Sequence, residues 1–145
     1  MSQEPGASGS DPDYNIYTMN IDGSNVTRLT DHPGQDGWPA WSPDGSTIAF
    51  STTRDDCRSS RAEGCLSSGD IGPVHTLWLM DADGSDQRRV TTTNAQLPDW
   101  SPDGRYLVCE SQGGLNLITP DGTAAGRISL DVRDPLFPDW VAGSL

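Results

Sequence analysis

The five residues Trp-Ser-Pro-Asp-Gly occur twice in this chain, at Trp41 to Gly45 and at Trp100 to Gly104, and Pro138 to Trp140 begins a third copy. Each copy ends an apolar strand in a turn: proline presets φ at the first corner, and Asp-Gly tolerates the reversal. A second kind of Asp-Gly turn lies at Asp22-Gly23, Asp83-Gly84 and Asp121-Gly122. Their surroundings keep step. Ile16, Leu77 and Leu115 stand six residues before each Asp, and Arg28, Arg89 and Arg127 stand six after it, followed by Leu29, Val90 and Ile128. From these turns to the next repeat tryptophan the intervals are 19, 17 and 19 residues. Such regularity marks an internal repeat.

The unit is four short antiparallel strands, among them Thr47 to Thr52 and Tyr106 to Ser111. Asp-Gly between alternating apolar runs predicts a type I′ hairpin, in which both corner residues take positive φ. Repetition of such a unit predicts an all-β propeller. The hydrophobic fraction of 33%, with 16 Gly and 11 Pro, suits many short strands and tight turns better than helices. Phasing gives the last two strands of one blade, two complete blades and the first strand of another. That is about three four-stranded blades, fewer than the roughly four to eight of a ring, so the propeller is not closed within one chain. Residues 1–13 read as a flexible polar lead-in and 14–145 as blades, two complete and one split between the termini.

The units resemble the β-propeller repeats of the TolB family. Ile16 to Thr30, I-Y-T-M-N-I-D-G-S-N-V-T-R-L-T, and Pro39 to Phe50, P-A-W-S-P-D-G-S-T-I-A-F, follow its pattern residue by residue. The later units are looser, with Leu77-Trp78 for Ile-Tyr and Val108-Cys109 for Ala-Phe. The resemblance implies a protein-binding module of the periplasm or cell envelope. It also allows an accessory propeller of a peptidase or carbohydrate-active enzyme.

Trp41 and Asp83 are 42 residues apart, against 21 between Trp100 and Asp121, so the first complete blade carries an insertion at 54–73. Cys57 and Cys65 lie inside it. A disulfide between them would remove about 2.5 kcal/mol of unfolded-chain entropy and imply an oxidising compartment; two free thiols are the alternative. Insertions collect on one face, beside the loops between blades. The expected partner-binding residues are therefore Trp38, Arg54, Asp56, Arg58 and Arg61, an aromatic beside mixed charge on a stapled loop. Trp41, Trp100 and Trp140 recur with the blade and are expected to pack between sheets.

No catalytic group is expected. Only two histidines occur, His32 and His75, and neither has an evident Ser or Cys partner in sequence. Cys109, in the place of Phe50, reads as a small buried hydrophobe. Asp81-Ala-Asp83-Gly84-Ser85 opens like a calcium loop, but Thr92 stands where the bidentate Glu belongs, so no metal and no cofactor are predicted. The net charge of −12 repels phosphate backbones, which argues against nucleic acid. No apolar run approaches the roughly 20 residues that span a bilayer. Met1 to Ser10 lacks the apolar stretch of a secretory leader, so an extracytoplasmic location, periplasmic or secreted, requires a leader not present in this chain. The unfinished blades leave open strand edges. These invite neighbouring propeller blades or head-to-tail self-association into rings or filaments, with Phe137 to Val141 lent to the Ile16 and Val26 hairpin of another copy.

Overall fold

The computed structural model describes residues 14–32, 34–56, 73–111, 114–129 and 140. Ten strands form in chain order, with no helix among the described residues. They are β1 (Tyr17–Thr18), β2 (Thr27–Arg28), β3 (Asp36–Trp41), β4 (Thr47–Thr52), β5 (Thr76–Asp81), β6 (Arg88–Arg89), β7 (Gln96–Trp100), β8 (Leu107–Ser111), β9 (Gly114–Ile118) and β10 (Ala124–Ser129). Every pairing is antiparallel between chain neighbours. The sheets are β1-β2, then β3-β4-β5-β6, then β7-β8-β9-β10, and none closes on itself. This is the open all-β propeller architecture that the repeat implies.

The period of two decides which side chains meet. Along β4 and β5, Ile48, Phe50, Trp78 and Met80 turn toward Ile16 and Leu29 of the first hairpin, while Ala49, Leu77 and Leu79 turn toward Trp100, Leu107, Cys109 and Ile118 of the last sheet. The central sheet is therefore buried on both faces, which is why its strands read as continuous apolar runs. Cys109 is fully enclosed, and burial pushes its thiol up to about 11. It is a packing residue in the core.

The turns differ from the hairpin type the sequence predicts. Gly23, Gly84 and Gly122 have positive φ, but Asp22, Asp83 and Asp121 do not. The amide of each glycine donates to the carbonyl three residues back, Asn20, Asp81 or Thr119. This is a type I turn followed by a left-handed glycine, a three-residue hairpin loop, not type I′. The aspartate is spent differently. Asp83 Oδ1 accepts from the Ser85 amide at 2.9 Å and its hydroxyl at 2.6 Å, and Asp22 does the same with Ser24. Asp44 accepts from the Ser42 hydroxyl at 2.6 Å and the Ser46 amide at 3.0 Å, and Asp103 repeats this with Ser101 and Arg105. These hydrogen bonds hold Asp44 at about 2 and lower Asp22, Asp83, Asp103 and Asp121 as well.

The repeat tryptophans show how sheet follows sheet. Trp100 Nε1 donates to the Ala40 carbonyl of the preceding sheet at 3.1 Å, and Trp140 Nε1 donates to the Asp99 carbonyl at 3.3 Å. Ala40 and Asp99 are the residues just before Trp41 and Trp100, so one contact is used twice. Trp100 is 7% exposed, as expected of a core ring. Trp41 is 50% exposed, against expectation, because among the described residues the sheet on its side has β1 and β2 alone.

Candidate functional site

The end of the central sheet where β3 begins, β4 ends and β5 begins carries most of the residues singled out from sequence. Trp38 sits on a bulge. The β3-β4 register runs Asp36↔Thr52 and Gly37↔Ser51, then resumes at Ala40↔Ala49, so Trp38 and Pro39 together face Phe50. Leu97 and Pro98 repeat the arrangement opposite Cys109. Proline has no amide to give the ladder, and the residue before it takes positive φ, 51° at Trp38 and 54° at Leu97. A bulky residue in that region is uncommon. The bulge aims the Trp38 ring off the sheet, where it is 46% exposed. Its ring meets that of His75 edge to face, with centroids 5.3 Å apart and planes at 67°.

His75 is itself buried. Burial lowers its pKa, while a hydrogen bond to the Pro73 carbonyl and the charge of Asp56 raise it in part, so the imidazole is neutral near pH 7. Its backbone amide donates to Asn94 Oδ1 at 2.9 Å. His75 Nε2 and Ser51 Oγ are both buried, and neither has a hydrogen-bond partner among the described residues. They therefore form no nucleophile–base pair with each other.

Arg54 and Asp56 are turned inward, against the expectation that they face a partner. Arg54 Nε donates to Asp36 Oδ1 at 2.9 Å and Nη2 to Asp36 Oδ2 at 2.6 Å, a two-pronged ion pair, while Nη1 donates to Gln87 Oε1 at 2.6 Å. The guanidinium carbon lies 5.4 Å from the Phe50 ring centroid and 5.2 Å from that of Trp78, so aromatic faces enclose the charge. Thr52 Oγ1 adds a bond to Asp36 at 2.6 Å. Asp56 is buried and accepts from the Val74 amide, and its own amide donates to the Thr53 carbonyl at 3.0 Å. Asp55 accepts from Thr76 Oγ1 at 2.7 Å and Trp78 Nε1 at 3.1 Å, and meets Arg89 at 3.2 Å. The first residues of the predicted insertion thus anchor both its ends to the sheet. Arg58, Arg61 and the Cys57–Cys65 pair lie outside the described residues.

The Asp36–Arg54–Gln87 network is absent from the sequence-based site. Its signal was present in the repeat: Asp36 and Gln87 stand where the next unit has Ala95 and Ala125. Polar residues where the other units carry Ala95 and Pro135, or Val26 and Ala125, pointed to a buried network. Among the described residues no group of three or more His, Cys, Asp or Glu side chains could hold a metal ion.

No protein-family profile matches the chain. An uncharacterised protein of Agrobacterium fabrum is 32% identical over 89 residues, 61% of this chain and 24% of that protein. The Tol-Pal system protein TolB of Rhizorhabdus wittichii is 34% identical over 90 residues, 61% of this chain and 17% of that protein. The chain therefore spans less than a quarter of the length of these curated relatives. Among solved structures, a TolB candidate of Agrobacterium tumefaciens superposes with a TM-score of 0.58 and 24% identity, over 79% of this chain and 42% of that one. An oligogalacturonate lyase in complex with manganese superposes with a TM-score of 0.56 and 17% identity, over 82% of this chain and 30% of that one. At these identities the likeness is one of fold, and the fold is a β-propeller.

Proposed function

We propose, from the premise that this chain is built of TolB-like β-propeller repeats, that it is a non-catalytic interaction module binding another protein through loops at one face of the blades. The observation that carries the reading is Trp38: a half-exposed indole on a positive-φ bulge, braced by a buried neutral histidine. A rigid aromatic held partly in water at low conformational cost is the commonest kind of interface anchor. With Arg54 and Asp56 supporting the sheet, the partner surface we propose consists of Trp38 with Arg58 and Arg61 of the insertion. An extracytoplasmic location goes with this reading and rests on the likeness to TolB.

The test is a photo-crosslinking residue at position 38 of the full-length protein in its own host, with Arg105, at the opposite end of the sheets, as control. A discrete adduct at 38, lost when Arg58 and Arg61 are changed to glutamate, supports the site. The same adduct pattern at 38 and 105, or none at either, defeats it.

A second reading concerns the open side of the molecule. Tyr17, Met19, Val26 and Trp41 are all exposed there, beside the two-stranded first sheet. We propose that this side takes further propeller strands, from elsewhere in a longer protein or from another copy. Trp41 would then donate to a backbone carbonyl as Trp100 and Trp140 do.

A further inference from the structure

The seam between the two full sheets contains a cavity of about 470 Å³, near the outer strands, lined among others by Val90, Thr92, Asn116, Gly122 and Ala125. We propose that this groove is a receptor for a primary carboxamide, the side chain of a Gln or Asn carried by a partner polypeptide. The inference is independent of the Trp38 surface, which lies at another part of the fold.

The molecule supplies its own precedent. At the earlier seam, between the first hairpin and the central sheet, the equivalent space is occupied by Gln87. Its Nε2 donates to the Leu29 carbonyl at 3.0 Å and the Gly84 carbonyl at 2.9 Å, and its Oε1 accepts from Arg54. The repeat carries Leu29 onto Val90, Gly84 onto Gly122, Gln87 onto Ala125 and Trp78 onto Asn116. The ladders agree: Leu79↔Arg88 and Trp78↔Arg89 in one sheet correspond to Leu117↔Gly126 and Asn116↔Arg127 in the other. Loss of Gln at 125 and of a tryptophan at 116 opens the groove.

The carbonyl geometry survives the loss. A Cβ on Gly84 would sit 3.0 Å from the Leu29 oxygen, and one on Gly122 would sit 2.6 Å from the Val90 oxygen, so both turns press on the same backbone atom of the preceding sheet. The Val90 and Gly122 carbonyls accept no hydrogen bond from the described residues, and the Asn116 carboxamide has no partner among them. Two carbonyl acceptors call for a group with two N–H donors, and a primary amide presents both from one nitrogen. Its oxygen then needs a donor, which the Asn116 amide can supply. A carboxylate brings no donor and would face two carbonyl dipoles.

The test uses the 145-residue chain labelled with nitrogen-15 and three capped tripeptides, Gly-Gln-Gly, Gly-Glu-Gly and Gly-Lys-Gly. The Gln peptide is expected to shift the amide signals of Thr92, Asn116, Gly122 and Ala125 in a saturable manner, with the Glu peptide at least about tenfold weaker for two lost hydrogen bonds, and the Lys peptide, whose ammonium can donate to both carbonyls but cannot accept from Asn116, about fivefold weaker for one. Ala125→Gln fills the groove from within and should abolish the response while leaving the rest of the spectrum in place. Asn116→Leu, which removes the polar wall, should weaken it. Trp38→Ala should leave it unchanged, so the fate of the Trp38 surface is read separately. No saturable shift with the Gln peptide, equal shifts with all three, or an undiminished response in both groove variants overturns the proposal.

Discussion

The two seams of this molecule are built from the same repeat and closed by different means. The seam on the hairpin side is filled by long side chains: Arg54 between Phe50 and Trp78, with Asp36 and Gln87 hydrogen-bonded to it. The seam between the full sheets is closed by apolar packing around Trp100, Leu107 and Ile118, and its outer part stays open. A two-stranded hairpin offers little apolar area, and beside Ile16 and Leu29 it is held through Gln87, whose Nε2 reaches the Leu29 carbonyl while its Oε1 accepts from Arg54. Two four-stranded sheets hold one another by burial, which leaves their rim free to vary. The outer rim of a blade is thus where a repeat can gain a site without losing its fold.

The largest expected effect is at the clamp. Arg54→Ala leaves the Asp36 carboxylate buried without its counter-charge and should cost about 3–5 kcal/mol, read from urea denaturation. Asp36→Leu combined with Arg54→Met should recover most of that loss. A double variant no more stable than the single would show that the unpaired Asp36 charge is not the source of the loss.

Next are the turn glycines. Gly122 has φ +87° and Gly45 has φ +70°, but only Gly122 faces a backbone oxygen at 2.6 Å; nothing lies within 4 Å of a Cβ at Gly45. Gly45→Ala should therefore cost about 1 kcal/mol for the left-handed conformation alone, and Gly122→Ala about 2–3 kcal/mol. Equal losses in the two variants would mean that the turn does not press on the neighbouring sheet.

Trp100→Phe removes the indole bond to the Ala40 carbonyl and should lower stability by about 1 kcal/mol or more. Trp41→Phe, on the open side, should be nearly silent in thermal melts. A matching loss at Trp41 would indicate that the open side is covered in solution.

The smallest effect is pH-dependent. The folded-state pKa of His75 is lowered from 6.5, so the unfolded chain binds the proton more readily. Stability is then complete above about pH 6.5 and falls with a slope of at most one proton as the pH drops toward the lowered folded value. His75→Gln should remove that slope. The turn aspartates, all depressed, contribute in a separate window, present above 3.8 and lost as pH falls toward the value of about 2 held by Asp44. A single acid transition unaffected by His75→Gln would show that burial of His75 does not contribute to the pH dependence.

Much of the fold was legible because its determinants are short-range and repeated. The Trp-Ser-Pro-Asp-Gly turns, the strand Thr47–Thr52 and the antiparallel groups of strands follow from residues a few positions apart. The turn type was misread because Asp-Gly serves two loop geometries, and the choice between them lies in whether Asp itself takes positive φ. Of the candidate site, Trp38 was singled out because it breaks the repeat, and its ring is half-exposed. Arg54 and Asp56 were assigned to the surface because charged residues at the start of an insertion are usually solvated.

By itself the sequence determined the local grammar of this protein: where each strand turns, which face of it is apolar, and that the unit recurs. Only the tertiary structure decided how the units are joined. Arg54 meets Asp36 across 18 residues and Gln87 across 33, and Gln87 reaches Leu29 across 58. No local pattern encodes such meetings. Burying a charge is favourable only when its partners are already in position; the pairing of β3 with β4 sets Asp36 beside Arg54, and the stacking of the hairpin on the central sheet brings Leu29 to Gln87.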